Sequence, residues 1–348
     1  MAVTQKTVKQ HFVPQLYLKN FKSSDGRLWV FNKSTGATFC SGERVVAFEN
    51  GFYDLEDGSM EGGVAELWNE NDQGERAMAH FDEELHRVLK LLFSEGKDIG
   101  VFPHERQAVA FAMAIQHMRT AKFREGMDQA VGESMSTFSR NLIGLNFPGQ
   151  EHLAPTIDIT DTMLRHEHMR MLLDPEKWRI YGDAISSLHW TFCIAPDGAR
   201  FLTSDKPVSV RYHLAGKALD TTGFRSPGVE IVYPIHPKYA LVAREAFLTP
   251  LTPDNGGAAI ISNEQVRYCN CLVTADSQRF VIGTSKDFSD ATEFLDRNPI
   301  LRTRPWGLWE TNMMKPRWVK TRKRKKELKQ YMVSNFKYLD LDWSNPGV

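Results

Sequence analysis

His11 stands near the head of an aromatic and apolar stretch, QHFVPQLYLKNF over residues 10–21, that also carries Gln15 and Tyr17. An imidazole changes charge near neutral pH. A histidine set into an apolar wall is therefore a candidate general acid or base whose pKa burial would tune. Asp205 is the second candidate. It lies in FLTSDKPV, residues 201–208, where an apolar run delivers Thr203, Ser204 and Asp205 into a turn closed by Pro207. A carboxylate there suits binding a metal, orienting a histidine or accepting a substrate hydroxyl. Ser and Asp also bond local backbone N–H groups, so the stretch reads equally well as simple turn chemistry. In FPHERQAVAFAMAIQHMRTAKFREGM, residues 102–127, Gln116 and Arg119 lie three apart and share a helical face. A Gln and an Arg beside an apolar stripe can bind an anion or a planar ligand, or can satisfy loop carbonyls.

Other arrangements fail on spacing. His11 and Pro14 suggest the opening of a ββα-metal nuclease motif, but the matching Asn and second His do not follow at the needed distance, which excludes a standard site of that kind. His166 and His168 are two apart on a helical pattern and splay away from each other, so they are no zinc pair. Cys269 and Cys271 lack a second cysteine pair, and there is no P-loop, G-x-G-x-x-G or G-x-S-x-G segment. KPRWVKTRKRKKELK, residues 315–329, concentrates nine basic side chains against one Glu. Arg317, Lys320, Arg322, Lys323, Arg324, Lys325 and Lys326 would attract a phosphate backbone, and Trp318 could stack on a base or ribose. Such a stripe gives affinity without sequence specificity, and charge runs also serve as plain solvated faces.

Positioning these groups takes a sizeable fold, and 348 residues at 42% hydrophobic and 25% charged are ordinary for a soluble globular chain. Net charge is zero, yet outside 315–329 the chain holds 34 basic and 42 acidic residues, a balance of −8. Four scattered cysteines suit a reducing cytoplasm. No apolar run reaches the roughly 18 residues of a membrane span, and Lys6 and Lys9 precede no apolar signal core. The pattern predicts a short helix after Pro14, strands within 27–48, and a turn-rich loop at 50–59. Helices follow over 64–93, from Pro103, over 129–142 and over 158–175, the last capped by Thr160 or Asp161. On the Pro103 helix, Ala108, Phe111, Ala112 and Ile115 form the expected buried stripe. Strands are predicted at 188–195, 200–204, 208–213, 229–235, 239–244 and 279–285, with a helix capped by Ser262 between the last two. This order predicts an α+β fold: N-terminal strands, a central helical region, and a C-terminal mixed or antiparallel sheet with one late helix. One domain is expected over 1–290, helical over about 62–183 and β-rich over about 186–290. An extension, 291–348, carries the basic segment.

The blocks QHFVPQLYLKNF, LWVFNK, GFYDL, FLTSDKPV, VEIVYPIHP and VRYCNCLVTADSQRFVIGTS resemble, in that order, a mainly bacterial family known only as domain of unknown function 4238. The resemblance spans roughly residues 8–290. It brings no established activity. It implies a recurring polar set: His11, Pro14, Tyr17, Gln116, Arg119, Ser204, Asp205 and Asn270. Lys206 stands where the family often has Asn, and YPIHP departs from the more usual Pro-Leu-Ser-Pro. Buried unpaired polar groups cost about 1–3 kcal/mol each, so the set implies a shared pocket with residues 9–21 as one wall. The function expected on this basis is phosphodiester hydrolysis in nucleic acid, in phage defence or as a toxin. His11 would act as general base or acid, Asp205 as its orienter or a metal ligand, and Arg119 as phosphate clamp, with Mg²⁺ or Mn²⁺ as the divalent metal. Gln15, Tyr17, Gln116, Ser204 and Asn270 would hold substrate. Two alternatives stand beside it. One is a non-catalytic sensor binding a nucleotide or nucleic acid. The other is a structural or interaction protein whose polar set is a core network.

Overall fold

Strand β8, Val229–His236, reads VEIVYPIH and is buried at every position but its last. A near-continuous apolar run of this kind belongs to an interior strand covered on both faces. The structure, a computed structural model, describes residues 8–55, 68–70, 72–92, 103–155, 160–212, 223–226, 228–245 and 255–303. In it β8 lies in a five-stranded sheet ordered β10-β5-β9-β8-β7, whose other strands are Gly257–Ile260, His189–Ile194, Tyr239–Arg244 and Ser209–Tyr212 respectively. Only β10 runs parallel to its neighbour. Pro234, which has no N–H to give a ladder, sits where the β8–β9 register shifts.

A second sheet is built from distant parts of the chain. Its order is β3-β2-β11-β6, with β2 at Leu28–Asn32, β3 at Thr38–Ser41, β6 at Thr203–Ser204 and β11 at Phe280–Gly283, all antiparallel. The pairing Val30↔Ile282 ties the N-terminal hairpin to the far end of the described chain. A third, two-stranded ladder joins β1 (Lys9–His11) to β4 (Phe48–Asn50). The architecture is α+β, as the sequence predicts.

The helices cover these sheets. After α1 (Gln15–Leu18) come α2 (Gln73–Leu92), α3 (Pro103–Met118), α4 (Ala121–Asn146), α5 (Asp161–Leu172) and α6 (Pro175–Ser186). The predicted Thr160 cap is present, its hydroxyl accepting from Met163 N at 3.2 Å. Helix α7, Asn263–Asp276, starts at Ser262 with a full capping box and is buried from Tyr268 to Asp276. It packs against β6, β7 and β8, which makes it the layer between the two larger sheets. Helix α8, Ser289–Arg297, lies against α7. Among the described residues no helix is long and apolar enough to cross a membrane.

Four sequence readings need correction. The helix beginning at Pro103 does not run on to residue 127: Thr120 breaks it with an extended backbone and caps α4, which is continuous from Ala121 rather than from Gln129. Strands β1, β4 and β10 and helix α8 are too short or too polar to show in the pattern. The strand predicted over 200–204 is reduced to two residues. The expected core stripe of α3 is also displaced. Val109, Ala110, Met113, Ala114 and Met118 are its buried apolar positions, while Ala108, Phe111, Ala112 and Ile115 are only partly covered. The helix is apolar on nearly every side, so periodicity could not single out the face that meets the core.

Candidate functional site

The N-terminal segment forms a wall because its backbone is tied on both flanks. Ala47, held at φ 54°, accepts Phe12 N at 3.2 Å. Gln10 donates to Asp54 Oδ1 at 2.9 Å and accepts Tyr53 N at 2.5 Å. His11 is buried against Phe48, ring centroids 5.6 Å apart. Gln15 Nε2 meets His11 Nδ1 at 3.3 Å. An amide nitrogen only donates, so Nδ1 is the acceptor and the ring proton sits on Nε2, which has no partner. Burial lowers the His11 pKa, the Arg44 carbonyl opposes it, and Arg119 adds to the depression. On balance burial favours the neutral imidazole.

Arg119, at the end of α3, gathers this corner. Its Nε donates to Tyr53 Oη at 3.2 Å, one terminal nitrogen to the His11 carbonyl at 2.8 Å, and the other to Asp82 on α2. Burial opposes its charge, but Asp82 and Tyr53 more than compensate and hold its pKa above the usual arginine value. Tyr53 Oη also donates to the His11 carbonyl at 2.9 Å. Glu75, nearby on α2, is pushed up to about 7, first by burial and with Asp82 contributing. Gln116 gives one N–H to the Phe12 carbonyl at 3.3 Å, which fixes its amide orientation and leaves Oε1 buried without a partner. Thus His11, Gln15, Gln116 and Arg119 meet at one corner.

Asp205 lies elsewhere, beneath the α7–β11 connection. Its Oδ1 accepts Gln278 N at 2.9 Å, and its Oδ2 accepts Arg279 N at 2.7 Å and Phe280 N at 2.8 Å. Burial raises its pKa and these three bonds oppose the rise. The sequence raised local turn bonds for this stretch. Ser204 makes one, accepting Lys206 N at 3.1 Å, whereas Asp205 reaches more than 70 residues along the chain. No hydrogen bond among the described residues joins Asp205 to His11. Tyr17 has partners of its own: its hydroxyl pairs with Thr203 Oγ1 at 2.6 Å and donates to the Pro234 carbonyl, and its ring stacks on Tyr233. Asn270 Oδ1 accepts Leu202 N at 2.8 Å and its amide donates to the Arg200 carbonyl at 3.0 Å, beside a polar cleft of about 400 Å³. The basic residues from Arg317 to Lys326 lie outside the described residues.

Next to Asp205 is a buried charge cluster that the sequence reading missed. Asp276, at the end of α7, takes Lys122 Nζ at 2.8 Å, Lys206 Nζ at 2.5 Å and Val210 N at 2.8 Å. Lys33 Nζ bonds the terminal carbonyls of α7, Thr274 at 3.3 Å and Ser277 among them, where the helix dipole favours a cation. Burial lowers Lys33 to about 7 and Lys206 to about 8. Burial would raise Asp276, but Lys122 and Lys206 prevail and hold it below the usual carboxylate range. His117 is pushed down to about 3 by burial. The available signal was each lysine's setting beside apolar residues, as in VFNK and TAKF. Among the described residues no cluster of three or more His, Cys, Asp or Glu is arranged to hold a metal.

The corner opens onto a cleft of about 220 Å³ between α2, α3 and α6. Gln116 and Arg119 line it together with the partly covered Phe81, Phe111 and Trp178. The cleft wall on α3 is the Ala108–Ile115 face that periodicity assigned to the core.

The family model of a protein of unknown function, DUF4238, matches residues 9–287. No curated protein and no solved structure matches the chain.

Proposed function

The chain belongs to the DUF4238 family, whose description carries no activity, and we propose from its own side chains that it is a non-catalytic recognition module. One observation carries this reading: among the described residues the charged members of the polar set are paired within the protein, and Gln116 Oε1 and His11 Nε2 are its buried atoms without a partner. All three guanidinium nitrogens of Arg119 already donate within the protein, and both oxygens of Asp205 accept backbone N–H groups. A phosphate at Arg119 would compete with the Asp82 carboxylate that already neutralises it, and a metal at Asp205 would compete with three backbone N–H groups. Gln116, which lines a cleft, instead keeps a buried acceptor without a partner. In this reading the cleft recognises a small ligand, and the basic segment 315–329 holds nucleic acid through its phosphates.

Phosphodiester hydrolysis in phage defence remains a second reading. The unpartnered Nε2 of a neutral, buried His11 favours it. Labelled single- and double-stranded DNA, RNA and tRNA, incubated with Mg²⁺ or Mn²⁺, separate the two. The recognition reading expects no cleavage, and binding that weakens on deletion of 315–329. Cleavage by wild type that disappears in His11→Ala establishes the hydrolase instead.

A further inference from the structure

The cleft between α2, α3 and α6 has the size and chemistry of a site for one small ring system. At about 220 Å³ it is larger than the roughly 150 Å³ apolar cavity that holds benzene. It is smaller than the roughly 300–1,000 Å³ of sites for drug-sized ligands. A dinucleotide or a folded peptide segment does not fit. Ala108 and Ala112 on α3 leave the space, and Phe81, Phe111 and Trp178 supply aromatic surface. Phe81 and Trp178 meet edge to face, centroids 4.8 Å apart at 84°, which fixes that side of the cleft. Aromatic walls favour a flat partner that stacks or meets ring edges.

Charge is neutralised around the opening. Arg119 is paired with Asp82. On the rim, Arg87 is paired with Glu84, Nε to Oε2 at 2.9 Å. An anion entering here gains no free cation. Among the described residues that line the cleft, the one buried polar atom without a partner is the carbonyl oxygen of Gln116, a residue only 1% exposed, whose Nε2 is held by Phe12 O so that Oε1 cannot exchange places with it. A buried acceptor without a partner costs free energy that a ligand donor recovers.

We propose that this cleft binds an uncharged planar heterocycle that donates an N–H to Gln116 Oε1. The proposal rests on the recognition reading and names the chemical class of its ligand. Nucleobases and indoles share that chemistry, a flat ring carrying an N–H.

Indole and benzofuran test it, because they have nearly the same shape and benzofuran lacks the N–H. Binding is measured by calorimetry and thermal shift on the full chain. Wild type is expected to bind indole roughly 2- to 12-fold more tightly than benzofuran, the ratio one net hydrogen bond supplies. Gln116→Leu brings that ratio to about 1. Because Gln116→Leu also removes the bond to Phe12, Ala112→Phe provides a second arm: it fills the cleft, leaves Gln116 in place, and binds neither probe. Equal affinity for the two probes in wild type overturns the proposal. So does an absence of indole binding up to its solubility, binding that survives Ala112→Phe, or inorganic phosphate binding in preference to indole. The recognition reading itself falls on a different result, cleavage of nucleic acid, and survives if only the indole arm fails.

Discussion

Replacing Asp276 by Asn tests the account of the buried charges. The amide keeps the size of the carboxylate and an oxygen for Val210 N, but it removes the anion that Lys122 and Lys206 share. Asp276 is 1% exposed and Lys206 is fully buried, so solvent cannot replace the lost partner. Removing one member of a buried pair costs about 3–5 kcal/mol. Relative to the wild type, a lysine that sheds its proton in the variant loses about 1.4 kcal/mol for each unit between the working pH and its wild-type value, which for Lys206 at about 8 is about 1.4 kcal/mol at pH 7; the rest of the cost is the lost pairing of the charges that remain. The sign with pH follows. The folded variant has lost a lysine proton that the unfolded chain retains, so the unfolded state binds more protons and stability rises with pH. For Lys206, already lowered to about 8 in the wild type, the penalty therefore shrinks by about 1.4 kcal/mol per pH unit up to about pH 8 and levels off above it. Urea unfolding followed by circular dichroism at pH 7, 8, 9 and 10 measures it. With unfolding entropy near 2.1 cal/mol/K per residue, the loss at pH 7 appears as a Tm drop of about 4–7 °C. A loss below about 1 kcal/mol at pH 7, or one of the same size at pH 10, refutes the reasoning.

Arg119→Met should cost about 3–5 kcal/mol in the same assay, since it leaves Asp82 unpaired and strips donors from the His11 carbonyl and Tyr53; a neutral result would mean the corner is held by packing alone. Gly182→Ala on α6 places a Cβ 2.1 Å from a ring carbon of Phe111, so that ring, which lines the cleft, must shift; Tm should fall and indole affinity should change several-fold, whereas a stabilised variant with unchanged affinity contradicts the packing. Burial pushes His117 and His168 down to about 3. Unfolded histidine titrates near 6.5, so between those values the unfolded chain binds more protons at each site and stability falls with acidification by about 1.4 kcal/mol per unit per histidine. His168→Gln should lower the slope of unfolding free energy between pH 6 and 4 by that amount, and an unchanged slope would place a proton on the folded His168.

The ladder of strands from Trp190 to Arg244 was legible because each run is apolar or alternating and is bounded by Gly, Pro or Asp-Gly. The Ser262 helix was legible from its cap. The α3 face was not, because AVAFAMAI offers no polar side to mark the solvent, and the cleft wall lay hidden inside what looked like core. Half of the polar corner was legible as well: Gln116 and Arg119 read as a pair bordering apolar surface, able to take an anion or a planar ligand. Deciding between those ligands required Asp82, 37 residues away on another helix, because only that pairing removes the free positive charge. Asp205 shows the same limit from the other side. Its type and position suggested chemistry, but its partners are backbone N–H groups at 278–280, and no side-chain pattern announces a carboxylate that receives main chain. Lys206 is fully buried and paired with Asp276. A charged residue surrounded by apolar ones therefore signals a partner to be found: Arg119 finds Asp82 and Lys206 finds Asp276, while among the described residues lining the cleft Gln116 is left with a buried acceptor that has no partner.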